Sequence, residues 1–144
     1  MKFTLETRRP RKREEASLQI RLMSALDWLL PADAFAFHCP NGGSRNVVEA
    51  VNLKRQGLKA GVPDILLCHR GRMVGLELKA KDGRLSEAQN LTFARLRDAG
   101  IRVEVARDYD EALRRIADMG IPLKHVETTH DVASVFREET RRRK

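Results

Sequence analysis

The stretch from Asp64 to Lys79 constrains this chain more than any other. Two largely apolar runs, Asp64–His69 and Arg72–Lys79, flank the dipeptide Arg70-Gly71. Such a two-residue connection predicts a β-hairpin. A tight turn also sets the pairing, with His69 facing Arg72 and the other pairs following in step. On that register Asp64 lies directly opposite Glu77, with Cβ atoms about 4.5–5.5 Å apart. Lys79 shares their face. Ile65, Leu67, Val74, Leu76 and Leu78 take the other face, as core. A slip of one residue would put the two acids on opposite faces.

Facing carboxylates in an apolar hairpin repel, and something cationic should offset them. One reading is a hard divalent ion, Mg²⁺ or Mn²⁺, held by carboxylate and carbonyl oxygens and water. The other is an ordinary salt bridge in which Lys79 neutralises the pair across the strands. Spacing alone leaves both open.

The rest of the chain reads as alternating helices and strands. Glu14–Leu30 is expected to be a helix, with an apolar stripe of Leu18, Leu22, Ala25, Leu26 and Leu29 and a stop at Pro31. Ala34–His38 is a short strand, and Cys39–Arg45 is a loop on its Pro and Gly content. Asn46–Gln56 is a short helix, with Asn46 as N-cap and Gly57 closing it. After the hairpin and a loop at Lys81–Arg84, Ser86–Ala99 is a helix, Ile101–Ala106 a strand and Asp108–Met119 a helix. The last 22 residues add one short helix. This order predicts an α/β sandwich around one mixed sheet. Trp28, Phe35, Phe37, Phe93 and the methionines are expected in the core. With aromatic residues at 5%, no stacking platform for single-stranded bases is visible.

Charge narrows the partner. The net charge is +8, yet residues 14–136 hold 17 basic and 17 acidic residues. The excess sits at the two ends, in residues 1–13 and 137–144. Such segments attract phosphate backbones through counterion release, although solvated tails look the same. Within the neutral body, residues 45–84 carry nine basic residues against four acids. This suits a phosphodiester-handling site, or a solvated face. Arg8, Arg9, Arg11, Lys12, Arg13, Arg45, Lys54, Lys59, Lys81 and Arg84 are the expected nucleic-acid contacts. No apolar run approaches the roughly 18–20 residues of a membrane span. The N-terminus lacks the apolar stretch of a secretory signal, and two cysteines do not make a disulfide framework. A cytoplasmic protein is expected. His38, Cys39, Cys68 and His69 lack zinc-finger or ribbon spacing.

Several motifs occur in a fixed order: Glu15 and Gln19, Pro40-Asn41-Gly42, Gly61-Val62-Pro63-Asp64, Glu77-Leu78-Lys79, then Gly83-Arg84-Leu85-Ser86 with Gln89. Pro63-Asp64 followed by Glu77-Leu78-Lys79 resembles the PD-(D/E)XK nuclease core. More narrowly, the ordered set over about residues 15–118 resembles the VRR-NUC family, including its small stand-alone phage and bacterial members. The resemblance implies a restriction-endonuclease-like fold, with a central mixed sheet flanked by helices. It divides the chain into a basic arm at 1–13, a nuclease domain at 14–120 and an extension with a basic tail at 121–144.

The resemblance also implies roles. Asp64 and Glu77 are metal-binding acids, with the Leu78 carbonyl as a further ligand. Lys79 orients the attacking water and stabilises developing charge, and Glu15 completes the site. Glu14 competes with Glu15, but the family's Glu precedes the Gln by four residues. Gln19, His38, Asn41 and Gln89 fall at the periphery. Gln89 has a structural reading too, because Ser86-x-x-Gln89 is a capping box. The implied activity is metal-dependent cleavage of DNA, branched or structured, by a symmetric homodimer in a bacterial or phage-infected cell. The competing readings are a non-catalytic nucleic-acid-binding module and a structural α/β protein with basic tails.

Overall fold

The computed structural model describes residues 8–40 and 46–124. At its centre is the hairpin. Arg70 (φ 47°) and Gly71 (φ 78°) both take left-handed backbone, as a type I′ turn requires. The turn locks β2 (Ile65–His69) to β3 (Arg72–Leu78), pairing His69 with Arg72 and Ile65 with Leu76. This is the register expected from the sequence.

Strand β1 (Ala34–His38) adds antiparallel to β2, and β4 (Arg102–Ala106) adds parallel to β3. The sheet order is β1-β2-β3-β4, and it is mixed. The parallel step needs a crossover, which α3 (Glu87–Asp98) provides. Helices α1 (Arg8–Leu29) and α4 (Tyr109–Asp118) pack together against the sheet. Between them lies the main core, including Leu22, Leu26, Ile65, Leu67, Leu76 and Ile116. Helix α3 packs against β4, with Phe93 and Val103 fully buried outside that cluster. Helix α2 (Val47–Arg55) is capped by Asn46, whose Oδ1 accepts from the Glu49 amide, and it buries no residue.

Three expectations need correction or restriction. Helix α1 begins at Arg8, so Arg8 to Arg13 belong to a helix rather than a separate arm. Arg and Lys are good helix formers, and Pro10 falls in the first turn, where its missing N–H has no helical partner to lose. Trp28 and Phe35 are exposed, at 48% and 66%. Trp28 sits on the flank of the α1 stripe, and Phe35 alternates with Ala34 and Ala36, the latter packed on the core. Met73 is exposed as well, whereas Phe93 and Met119 are core residues as expected. The loop at 41–45 and the helix expected near the C-terminus lie outside the described residues.

Candidate active site

The site forms where β2 and β3 begin and end together. Asp64 directly precedes β2, and Glu77 is the second-last residue of β3. The Asp64 amide donates to Glu77 Oε2 (3.2 Å), and the Leu78 amide donates to Asp64 Oδ2 (2.9 Å). Each carboxylate is therefore gripped by the other acid's strand, which fixes the pair on one face.

Glu77 is the one buried charged residue among those described, with 2% of its surface exposed. Lys79 Nζ lies 3.1 Å from Glu77 Oε1, on the same strand rather than across it. Gln89 Nε2 donates to the same oxygen. Even so, burial and then the neighbouring Asp64 charge push the Glu77 carboxyl up to about 7. Burial also raises Asp64 above its ordinary value, against the opposing pull of the Leu78 amide and Lys79. Lys79 thus offsets the repulsion only in part.

The backbone around the acids is built for this placement. Gly61 has φ +78°, and a Cβ there would run into the Ala88 backbone of α3. Gly61 thus lets the chain pass α3 closely before Val62-Pro63-Asp64 enters the sheet. The Asp64 carbonyl accepts from the Cys39 amide and from His38 Nδ1, both at 2.8 Å. Burial, and the Asp64 charge nearby, raise the Cys39 thiol.

Glu15 comes to the site edge from α1. It is half-buried, and its Oε1 accepts from the Ala80 amide (3.0 Å). Glu14 is exposed. Gln19 is half-buried one helical turn beyond Glu15. Gln89 has both roles open to it: Ser86 and Gln89 form the capping box of α3, and the amide nitrogen of Gln89 reaches Glu77. Arg11, Lys12, Arg13, Lys54, Lys59, Lys81 and Arg84 are all exposed. Arg8 and Arg9 lie in α1, but their side chains are outside the described set, as are Asn41 and Arg45.

The acids test well as ligands for a hard divalent cation. The donors are oxygens, the two carboxylates face each other, and their charged forms are disfavoured until something positive arrives. An ionised carboxylate has about four acceptor positions, so Asp64 retains capacity beyond its bond to Leu78. Among the described residues no three His, Cys, Asp or Glu side chains converge as a metal cluster. The carboxylate pair is therefore the centre of the candidate site, and Glu15 is held on the Ala80 amide.

Sequence spacing did not single out Arg21, Arg107 and Tyr109, which line a cavity that also includes Lys79. Their one local signal is that Arg107 and Tyr109 bracket Asp108, the N-cap of α4, directly after a strand.

Comparison with known proteins agrees with the ordered motifs. Curated proteins yield no match. A solved structure described as a VRR_NUC domain protein aligns with TM-score 0.54 and 21% identity, covering 74% of this chain and 89% of that one. A second, described as a VRR_NUC domain, aligns with TM-score 0.51 and 19% identity, covering 72% of this chain and 95% of the other. These share the fold, a mixed sheet flanked by helices consistent with a PD-(D/E)XK-like core. The VRR-NUC domain family matches residues 6–108. On that match, the chain belongs to the VRR-NUC domain family.

Proposed function

We propose that this protein is a metal-dependent endonuclease that hydrolyses DNA phosphodiester bonds. Membership of a nuclease-domain family supports the class. The observation that carries the reading is the facing Asp64–Glu77 pair, gripped by backbone amides and only partly neutralised by Lys79. A plain structural pair at this burial would be better served by apolar side chains.

Asp64, Glu77 and the Leu78 carbonyl hold Mg²⁺ or Mn²⁺, with Glu15 completing the site. When bound, the cation polarises the phosphate and makes its water more acidic. Lys79 supplies a point charge beside Glu77, where it orients the attacking water and stabilises charge developing on the phosphate. Gln89 holds the Glu77 oxygen in position, and His38 steadies the Asp64 main chain. Gln19 and Asn41 complete the surroundings. Exposed Arg11, Lys12, Arg13, Lys54, Lys59, Lys81 and Arg84, with Arg8, Arg9 and Arg45, draw in the DNA backbone without reading sequence.

The substrate is branched or structured DNA. One domain presents one site, so cutting two strands calls for a symmetric homodimer. No described helix is long and apolar enough to cross a membrane, and the setting proposed is the cytoplasm of a bacterial or phage-infected cell. The basic residues of 1–13 run into α1 of the nuclease domain, and residues 121–144 form an extension that ends in a basic tail.

The test is a Mg²⁺ and Mn²⁺ titration with labelled four-way junction, duplex and single strand. Wild type is expected to cleave the junction, and Asp64→Ala and Lys79→Ala to be inactive. Equal behaviour of wild type and variants would sink the nuclease reading. Binding without cleavage under every condition would favour a non-catalytic binding module.

A further inference from the structure

Beside the carboxylates lies a cavity of about 340 Å³. Its walls come from α1, from the residues after β3 and from the start of α4, and they include Arg21, Lys79, Lys81, Arg107 and Tyr109. It lies just past the carboxyl ends of the parallel strands β3 and β4, whose last pair is Leu78 and Ala106. Open α/β sheets bind ligands at such edges. Glu14 and Asp108 also line the cavity. The Asp108 carboxylate is engaged in capping α4, accepting from the Glu111 amide at 2.8 Å. Four cationic side chains therefore face two acids, one of them already committed.

We propose that this cavity binds the DNA phosphate next to the scissile one, with Arg107, Arg21 and Lys81 as its anchors. The proposal rests on the nuclease reading and deepens it. Lys79 is the link, since it lines the cavity and also lies on Glu77. A strand whose scissile phosphate sits at the acids therefore runs its neighbouring phosphate into the cavity. Arg107 spends one donor on the Gly83 carbonyl (3.0 Å), and a guanidinium has about five. Its remaining donors match the fork geometry of a phosphate. The Arg21 guanidinium lies over the Tyr109 ring, 4.1 Å from its centre. That stacking orients the cation and leaves its edge for an anion. Lys81 is exposed and adds charge without needing a fixed geometry.

The test uses the full chain, a labelled four-way junction and a labelled duplex. Affinity is measured in EDTA across a salt series, and cleavage is measured in Mg²⁺ or Mn²⁺. Arg107→Ala and Arg21→Ala are each expected to weaken binding about fivefold or more, and to lower the slope of log K against log salt by about one. KM should rise while kcat at saturating DNA stays within about threefold. Arg107→Lys should restore the slope but not the full affinity, which a merely structural role would not produce. Lys81→Ala, a change in an exposed loop that guards against misfolding, should likewise lower the slope by about one and weaken binding at low salt. If wild type cleaves and all these variants bind with unchanged slope and affinity, the cavity proposal is wrong and the nuclease reading stands. If wild type neither binds nor cleaves any of the DNAs, both fall.

Discussion

The amide of Asp64 donates to Glu77 Oε2 across the hairpin, and the next amide after Glu77, that of Leu78, donates back to Asp64 Oδ2. Two like-charged side chains are thus held together by main chain. Backbone bonds of this kind cannot swing away, so the pair is pre-organised and its repulsion is stored.

Asp64→Asn should abolish cleavage while sparing the fold. The Asn carbonyl oxygen can still accept from Leu78, but a metal-binding charge is lost. A drop of at least about a hundredfold in single-turnover rate is expected, since even outer partners of metal ligands cost 10–100-fold. The melting temperature at pH 8, measured without metal, should stay level or rise, because the repulsion on Glu77 is gone.

Stability of the metal-free protein should fall as pH rises through the range from 4.5 to about 7. The Glu77 carboxyl moves up from 4.5 to about 7 on folding, so within that window the folded state holds more protons than the unfolded one. The slope of unfolding free energy with pH is then negative. The effect is at most about 3 kcal/mol, and it flattens above pH 7. Glu77→Gln should remove most of this dependence in urea melts. Added Mg²⁺ or Mn²⁺ should raise the melting temperature more at pH 8 than at pH 6, since ligands must be deprotonated to bind. An equal rise at both would contradict ligation by this pair.

Gln89→Glu separates the two tasks of Gln89. A Glu carboxylate can still accept from the Ser86 amide, which Gln89 Oε1 does at 2.9 Å. It cannot donate to Glu77, and it adds a third acid. Helix α3 should persist by circular dichroism while cleavage drops about tenfold or more. The pH dependence of cleavage should also shift upward. Gln89→Ala should lose about 1 kcal/mol from the cap as well.

Gly61→Ala should destabilise the fold. The residue needs φ +78° and has the Ala88 backbone against it. The penalty expected is about 1–3 kcal/mol in urea melts. Cleavage should fall too, because Val62-Pro63-Asp64 hangs from this point.

The hairpin was legible because its cause is local. A two-residue turn leaves one register, and that register alone put Asp64 opposite Glu77 and chose the core face. Strand β1 and the caps at Asn46 and Ser86 were legible for the same reason, as each rests on residues within a few positions. Tertiary packing decided the rest. Glu15 rather than Glu14 meets the Ala80 amide, 65 residues away, because the docking of α1 on the sheet selects the face. Gln89 reaches Glu77 only because Gly61 lets α3 pass close by. The exposure of Trp28 and Phe35 reflects which faces no described helix covers. The cavity of Arg21, Arg107 and Tyr109 joins residues from α1 and from the junction of β4 and α4 that no local spacing relates. Sequence thus determined the facing pair of acids, through hydrogen bonds that a short turn dictates. Structure decided what surrounds it, because contacts between distant segments depend on how whole elements pack.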